Sequence, residues 1–506
     1  MFPPMGPAGR NSDRHAAQGG ARISLADVLS ALSCALDLTE GQPAGHAVRS
    51  CVIGMHIARE IGLPIEAQRD LYYASLMKDA GCSTNASKMM QILGTDDIAG
   101  KRDAVAMDWT RTGWESIQFA LAHVKTGAPF LERMRALFEM AVNQKQNTKV
   151  LHQMRCERGA SVARKIGLRE EAANAIQCLN EHWNGRGEPQ GLRGQHIPMP
   201  SRIMNIAQTA DVFYSRHGGA DAAGAVDIVR QRTRRWFDPE LVRAFCSLAA
   251  REALWTDLAN ASKRVIELEP GAELIDLNET TLDNICLAFA EVIDAKSPFT
   301  YRHSSGVAAA AVAIAKTLSL SEPEVVFLRR AGLLHDIGKL SVPNTILDKP
   351  DKLTEDEWSV VRKHPYYSYE ILRRIPGFGD LADIAASHHE KLDGTGYFRN
   401  LSAKELTLPA RILVVADIYD ALAAKRPYRD ALPLEKVLGI ISSDVPRALD
   451  PSCFEALKAA VDSASDPSAS LMALSSAIKP SAIESPPIKE SHDKNPQPRP
   501  DRTLSR

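Results

Sequence analysis

The sequence predicts an all-α protein made of two tandem helical bundle domains. Apolar residues recur at helical spacing in segment after segment, and no run alternates apolar and polar residues as a half-buried strand would. Aromatic residues make up only 6% of the chain while Ala and Leu are abundant, which also favours helix. At 506 residues the chain is long enough for two cores, and groups of residues recur in the same order in its two halves.

The expected elements follow one another in a simple order. Prolines and glycines with few large apolar groups predict a disordered N-terminal segment, and prolines alternating with charges predict a disordered tail. A break containing Pro and Gly separates the apolar helices of the two halves. The predicted units are a disordered segment 1–22, a first domain 23–265, a linker 266–280, a second domain 281–478 and a tail 479–506.

The two halves share one register of matching residues. His46 stands 32 residues before Lys78, and His303 stands 32 residues before His335. Two further matches follow in order, EHWNGRGEP with EKLDGTGYF and FDPELVRAF with LDPSCFEAL. Three matches in one order indicate two copies of one domain. The first copy carries about 48 extra residues, which we expect as an insertion at about 83–132.

Charge and cysteine usage exclude several classes of protein. Lys plus Arg total 61 against 62 for Asp plus Glu, so we expect no general attraction to nucleic acid or to an anionic membrane. Eight cysteines without a CxxC pair argue against a disulfide framework or a zinc knuckle and fit a reducing cytosol. The longest apolar stretch, VAAAAVAIA, is about half of the ~20 residues that a membrane span needs. We therefore expect a cytoplasmic protein.

The second half contains a set of imidazole and carboxylate side chains that predicts a metal centre. Each histidine alone would be better explained as a satisfied core residue, but the whole set would not. Five imidazoles and two carboxylates, without thiolate, suit two borderline divalent ions bridged by a shared carboxylate. Two ions about 3.5–4 Å apart polarise a phosphoryl oxygen and activate a water, so we expect phosphoester hydrolysis. The set comprises His303, His335, Asp336, His364, His388, His389 and Asp417, with Asp420 one helical turn beyond Asp417.

Residues from about Thr281 to Leu457 resemble the HD-GYP domain, the branch of the HD phosphohydrolase superfamily that hydrolyses cyclic di-GMP. The resemblance rests on YRHSSGVA, HDIGKLSVPNTILDKPDKLT, KHPYYSYEIL, HHEKLDGTGYF, ARILVVADIYDAL and KRPYR. It implies an HD-type fold and two divalent ions, Fe or Mn first and Co, Ni or Zn as further candidates, held by the seven residues with Asp336 as the bridge. It also implies that Lys339 assists the scissile phosphate. The substrate contacts that it implies are Arg426, Arg429 and Lys349.

Three positions depart from the pattern of that family. The GYP triplet is GYF, with Phe398 in place of proline, and we expect altered loop stiffness or partner contact before any loss of chemistry. Ser368 replaces the glycine usual in the HPxxG string. Phe299 stands where some members have a glutamate that helps to hold a third metal, which favours two ions here.

The first half has the same spacing of matching residues as the second, but most of the predicted metal ligands are replaced. His46 and Asp79 remain, but these two residues cannot hold two ions. Fixed positive charge in the former cation site would suit an anion or nucleotide sensor. The alternative interpretation is a packing or dimerisation module. We favour this alternative, because metal ligands can be lost by random substitution without selection for a new function. The substituted positions are Lys78, Arg155, Leu179, Asn180 and Gln208.

These observations predict a metal-dependent phosphodiesterase that hydrolyses cyclic di-GMP in bacterial second-messenger signalling, with either pGpG or GMP as the final product. One alternative is hydrolysis of another cyclic dinucleotide or nucleotide, because a metal centre recognises only the phosphate. Another is a catalytically idle scaffold that uses the HD-GYP surface for protein contacts. The expected partners are the cyclic dinucleotide, a diguanylate cyclase or other signalling protein at the GYF loop, and a second copy in a homodimer.

Overall fold

The computed structural model confirms the all-α fold. It describes residues 23–110, 113–216, 220–271, 278–300, 302–424 and 431–463, and within these ranges the only β structure is isolated bridges. The segments expected to be disordered, 1–22 and 479–506, lie outside the described residues. No helix in the described part is both long and apolar enough to span a bilayer.

The first half is a bundle of helices joined by short turns. Ser24 begins the first helix with a capping box, in which its hydroxyl accepts from the Asp27 amide and the Asp27 carboxylate accepts from the Ser24 amide. The helices of this half are α1 (Leu25–Thr39), α2 (His46–Glu60), α3 (Ile65–Met77), α4 (Ala86–Leu93), α5 (Asp97–Ala104), α6 (Trp114–His123), α7 (Phe130–Ile166), α8 (Glu170–Gln177), α9 (Met199–Tyr214), α10 (Ala222–Gln231), α11 (Pro239–Ala249), α12 (Glu252–Ala259) and α13 (Ala261–Glu267).

The second half repeats this bundle without the insertion. Short 3-10 turns cover Pro298–Thr300 and Ile337–Ser341. The helices of this half are α14 (Glu279–Asp294), α15 (His303–Thr317), α16 (Glu322–Leu334), α17 (Asn344–Leu347), α18 (Glu355–Val361), α19 (His364–Leu372), α20 (Gly379–Ala386), α21 (Leu408–Ala423), α22 (Leu434–Ser442) and α23 (Pro451–Asp462).

The repeat is visible in equivalent close contacts. Matching residues are 257 positions apart before the insertion, as His46 and His303 are, and 209 positions apart after it. A Cβ on Gly81 would lie 1.9 Å from the backbone oxygen of Arg155, and a Cβ on Gly338 would lie 2.0 Å from that of His364. The two halves therefore need glycine at the equivalent positions where the chain crosses α7 and α19.

One helix of the first half corresponds to two helices of the second. α7 runs without a break through Arg155, whereas α18 and α19 are separate and His364 begins the second of them. Pro365 explains the difference, because proline lacks an amide hydrogen and fits the first turn of a helix but not its interior. The matching residue of the first half is Cys156, which allows the helix to continue.

The two halves share one continuous apolar core. Buried side chains from α1, α2 and α11 belong to the same cluster as those from α14, α16 and α21. α1 packs against α19 and the Ile337–Ser341 turn, and α7 packs against α14. The limits of the two predicted domains stay a prediction, since no gap in the core separates them.

Candidate metal centre

The seven predicted ligands lie together in the second half. His303 and His364 begin helices, His335 and Asp336 follow α16, His388 and His389 follow α20, and Asp417 lies within α21. All are buried except His389, whose side chain is 27% exposed. Their donor atoms form overlapping groups within 4.8 Å, namely His303–His335–Asp417, His335–Asp336–His388 and His364–His388–His389.

Three of the histidines are oriented by the backbone. In His335, His364 and His388, Nδ1 contacts the carbonyl oxygen three residues earlier. A carbonyl oxygen only accepts, so each Nδ1 carries the proton and each Nε2 has a free lone pair that can bind a cation. The distances are 2.8 Å to Gly332, 2.7 Å to Val361 and 2.7 Å to Ala385.

His303 is oriented by a carboxylate instead. Its Nδ1 lies 2.6 Å from Oδ2 of Asp420, while its Nε2 lies 3.2 Å from Oδ1 of Asp417 and 3.6 Å from Oδ2 of Asp336. A Cβ on Gly306 would lie only 1.8 Å from Oδ1 of Asp420, so this carboxylate needs glycine beside it. The sequence placed Asp417 and Asp420 on one helix face, but the different contacts of the two carboxylates are visible only in the structure.

Asp336 lies at the middle of the cluster. Its Oδ2 accepts from Nζ of Lys339 at 2.6 Å, and its Oδ1 lies 3.3 Å from Nε2 of His364 and 3.5 Å from Nε2 of His388. Among the described residues, neither Oδ1 of Asp336 nor Nε2 of His335 has a hydrogen-bond partner, although both atoms are buried. Buried polar atoms are almost always satisfied, so these two fit a bound cation.

The electrostatics of the cluster favour the ligand forms of Asp336 and His364, whereas the carboxylates of Asp417 and Asp420 outweigh burial and raise the pKa of His303 to about 10, so a cation must displace a proton from this ring. Burial would raise the pKa of Asp336, but nearby positive charge, which includes the Lys339 ammonium 2.6 Å from Oδ2, outweighs burial and holds this pKa well below its usual range. Burial lowers the pKa of His364 to about 4, although Asp336 favours protonation. His364 Nε2 and His388 Nε2 lie 3.0 Å apart with lone pairs on both atoms, a contact that a shared cation would stabilise. The donor set thus fits a metal centre.

The predicted catalytic and substrate residues are less completely placed. Lys339 lies at the edge of the cluster with 19% of its side chain exposed. Lys349 forms an ion pair with Glu357 at 2.7 Å, so its charge is already matched. Arg426 and Arg429 lie outside the described residues. The roles of these four residues stay predictions.

The loop of the GYF triplet has a backbone that excludes proline at its third position. Phe398 has φ 98°, whereas the proline ring fixes φ near −65°. The Phe398 ring centroid lies 6.1 Å from those of Tyr366 and Tyr369, and the preceding Tyr397 ring lies 4.6 Å from His389. The departure from the family triplet therefore accompanies an aromatic contact between the loop and α19.

A glutamate that the motif search did not single out holds this loop. The Glu390 carboxylate accepts from the amides of Arg399 at 2.8 Å and Leu401 at 2.9 Å. Glu181 holds the matching loop of the first half by accepting from three successive amides, starting with Gln190 at 2.7 Å. The repeat of Glu in EHW and EKL was the sequence signal for this role.

Ser368 performs a structural task that glycine could not. Its hydroxyl donates to the backbone oxygen of His335 at 2.6 Å and accepts from the amide of Gly338 at 3.0 Å. The HD string is thereby tied to α19, which carries His364.

In the first half, side chains of the protein carry positive charge at two of the positions that match the predicted ligands. Asp79 accepts from Nζ of Lys78 and from a guanidinium nitrogen of Arg155 at 2.6 Å, so its charge is neutralised. His46 Nδ1 lies 2.7 Å from Oδ2 of Asp211, which reproduces the His303–Asp420 pair of the second half. The first half has thus kept the carboxylate that orients His46, although most of the matching metal ligands are replaced.

Comparisons with known proteins agree with these two bundles. The HD domain family matches the chain at residues 114–241 and 288–453, one match in each half. The 3′3′-cGAMP-specific phosphodiesterase 3 of Vibrio cholerae is 41% identical over 440 residues, which cover 87% of this chain and 95% of that protein. The cyclic di-GMP phosphodiesterase response regulator RpfG of Xanthomonas campestris is 35% identical over 46% of this chain and 61% of its own length.

A solved structure extends the similarity to three dimensions. The crystal structure of a cyclic GMP-AMP specific phosphodiesterase of V. cholerae, V-cGAP3, matches with a TM-score of 0.61 and 37% identity, covering 87% of this chain and 98% of that one. The family match, the relative that matches almost its whole length and the similar fold all agree with the motifs of the second half. The chain belongs to the HD-GYP family of HD-domain phosphohydrolases.

Proposed function

We propose that this protein is a metal-dependent phosphodiesterase that hydrolyses 3′,3′-cyclic GMP-AMP. The observation that carries the substrate is the extent of the similarity, because the cGAMP-specific relative matches 87% of the chain, including the first half. The relatives named for cyclic di-GMP match less of it, 46% for RpfG and 26% for PA4108 of Pseudomonas aeruginosa. Cyclic di-GMP, which the motifs of the second half predict, is the competing substrate.

The seven clustered residues are proposed to hold two divalent ions, Fe or Mn, which would polarise the phosphodiester and supply an activated water. Asp336 reaches donor atoms on both sides of the cluster and is the proposed bridge. Asp420 and the backbone carbonyls keep the imidazoles aimed inward. Lys339 is fixed by Asp336 and is partly exposed, so its ammonium can stabilise negative charge that develops on a phosphoryl oxygen.

The experiment compares substrates on the full chain. Protein loaded with Mn, or with Fe under anaerobic conditions, is incubated separately with 3′,3′-cGAMP, cyclic di-GMP and cyclic di-AMP, and the products are resolved by chromatography. We expect kcat/KM for 3′,3′-cGAMP to exceed that for cyclic di-GMP at least tenfold, and Asp336→Asn to be inactive on both. A preference for cyclic di-GMP would contradict the substrate. Metal-loaded protein that hydrolyses none of them would contradict the activity and favour the scaffold.

A further inference from the structure

A cavity of about 620 Å³ lies in the first half, where the second half has its metal cluster. Five positions that match the predicted ligands line it, His46, Asp79, Arg155, Asn180 and Gln208. Much of the remaining wall comes from α4, α5 and α6 of the insertion and from α7. Its volume is within the range of small-molecule sites, about 300–1,000 Å³. The first half has therefore kept a pocket at the position of the lost metal site.

The charged groups at this cavity are already paired. Arg155 bonds Asp79 at 2.6 Å and lies 3.7 Å from the Glu40 carboxylate. Nζ of Lys101 donates to the backbone oxygen of Cys82 at 2.7 Å and lies 3.7 Å from Asp97. Each cation thus has a carboxylate partner in the protein. This pairing argues against a phosphate or carboxylate ligand and against the anion sensor that the sequence left open.

Four buried polar atoms at the cavity lack partners in the described part of the chain, and three of them, on Asn85, His152 and His182, belong to neutral groups; the fourth is Nε of Arg155. Nδ1 of His152 and Nδ1 of His182 are buried, and neither has a hydrogen-bond partner in the described part of the chain. Burial lowers the pKa of His152 to about 3 and that of His182 well below its usual range, so both rings are uncharged near pH 7. Apart from Arg155, whose charge is matched by Asp79 and Glu40, the wall therefore offers hydrogen bonds without charge.

Aromatic rings surround these two imidazoles. The Trp109 ring centroid lies 4.5 Å from His152 and 4.8 Å from His182, and Trp236 stacks on His182 at 4.0 Å. The rest of the wall is mainly apolar and includes Met89, Ile92, Leu93, Phe119, Met140 and Leu151. An apolar wall with a few convergent polar groups is typical of sites for amphipathic small molecules.

We propose that this cavity binds a small uncharged ligand that has an apolar body and a hydrogen-bonding group, with that group held at His152 and His182 beside Trp109. The site is separate from the metal cluster and does not depend on the phosphodiesterase assignment. It gives the first half a ligand-binding role, rather than the packing role that the loss of metal ligands suggests.

The test uses N-phenyl-1-naphthylamine, an uncharged aromatic amine with one N–H donor, as the probe. Its emission rises in apolar surroundings, and it accepts energy from nearby tryptophans such as Trp109 and Trp236. Titration of the full chain should show saturable binding of one probe per chain with quenching of tryptophan emission. The absence of saturable binding would overturn the proposal.

A matched pair of variants distinguishes the cavity from the surface. Ala120 lines the cavity and Ala122, on the same helix, is exposed and does not. Ala120→Phe should weaken probe binding at least tenfold, whereas Ala122→Phe should leave it unchanged. Equal effects of the two variants would overturn the proposal, because the probe would then be adsorbing to exposed apolar side chains such as Leu131.

A replacement pair of variants and a competition experiment complete the test. If circular dichroism shows that Ala120→Phe is unfolded, Thr148→Phe, which also lines the cavity, replaces it, with exposed Lys149→Phe as its control. GMP and 3′,3′-cGAMP are then added as competitors to wild-type protein. We expect neither to displace the probe. Displacement by either would overturn the proposal in favour of a nucleotide site.

Discussion

The orientation of His303 depends on residues that bind no metal themselves. Gly306→Ala would place a methyl group on Oδ1 of Asp420 and push this carboxylate away from Nδ1 of His303. We predict that metal affinity falls about 10–100-fold, as for other groups that orient a ligand, while the helical content is retained. Metal titration of purified protein followed by elemental analysis measures this.

Gly439→Ala is the control for Gly306→Ala. Gly439 lies in α22, and a Cβ there would meet nothing within 4 Å. Its metal affinity should equal that of the wild type. Wild-type affinity in Gly306→Ala as well would show that Asp420 does not position His303.

Phe398→Pro would restore the GYP triplet of the family, yet we predict that it destabilises the protein. Proline cannot adopt φ 98°, so the loop must rearrange, at a loss of about 1–3 kcal/mol in the free energy of unfolding. Phe398→Gly removes the same ring but tolerates positive φ, and it should be the more stable of the two. Urea unfolding measures both, and a proline variant as stable as the wild type would refute this backbone geometry.

At the scale of single residues, the sequence identified the clustered side chains but not the groups that orient them. All seven clustered side chains were identified because each lies in a short string with a fixed spacing. The roles of Asp420, Gly306 and Glu390 were not, because a hydrogen-bond partner or a close approach depends on which helices meet. In the first half, the carboxylates of Asp79 and Glu40 together match the charges of Lys78 and Arg155, which argues against an anionic ligand there.

At the scale of elements, Ser368 joins the 3-10 turn Ile337–Ser341 to α19. We predict that Ser368→Ala lowers the free energy of unfolding by about 1–3 kcal/mol, because it leaves the Gly338 amide and the His335 carbonyl buried without a partner. Urea unfolding measures this loss. Ser341→Ala is the control, since its half-buried hydroxyl donates only to Gly338 within the turn. Equal, small losses in both variants would contradict the role given to Ser368.

The elements themselves were only partly predictable. Helical periodicity indicated helices throughout, and the structure confirms an all-α fold. The continuous α7 was not expected where the second half has a break, because the effect of Pro365 depends on the two segments being equivalent. The insertion, expected at about 83–132, comprises α4, α5 and α6 and leads into the start of α7.

At the scale of the whole molecule, a buried ion pair joins the insertion to the second half. Asp97 in α5 accepts from Nζ of Lys296 at 3.0 Å and from the amide of Asn344 at 2.7 Å, and both charged side chains are almost fully buried. We predict that Asp97→Ala lowers the free energy of unfolding by about 3–5 kcal/mol, because the ammonium groups of Lys296 and Lys101 are both left buried without a carboxylate. Denaturant unfolding measures the loss.

The triple variant Asp97→Leu, Lys101→Met and Lys296→Met tests the cause of that loss. Lys101 is also buried and lies 3.7 Å from Asp97, so replacing all three charges by apolar side chains should recover most of the stability, since no unpaired charge remains. A single variant that costs less than about 1 kcal/mol would mean that the pair is exposed or absent in solution. The sequence could not predict this pair, because its members lie 199 residues apart.

The central claim is that the second half binds two metal ions and the first half binds none. The measurement is metal per folded chain after loading with Mn and removal of free ions, made on the wild type and on the matched variants Asp336→Asn and Asp79→Asn. Two ions in the wild type, fewer than one in Asp336→Asn and two in Asp79→Asn are the predicted values. Fewer than two ions in the wild type, or a loss in Asp79→Asn equal to that in Asp336→Asn, would contradict the claim.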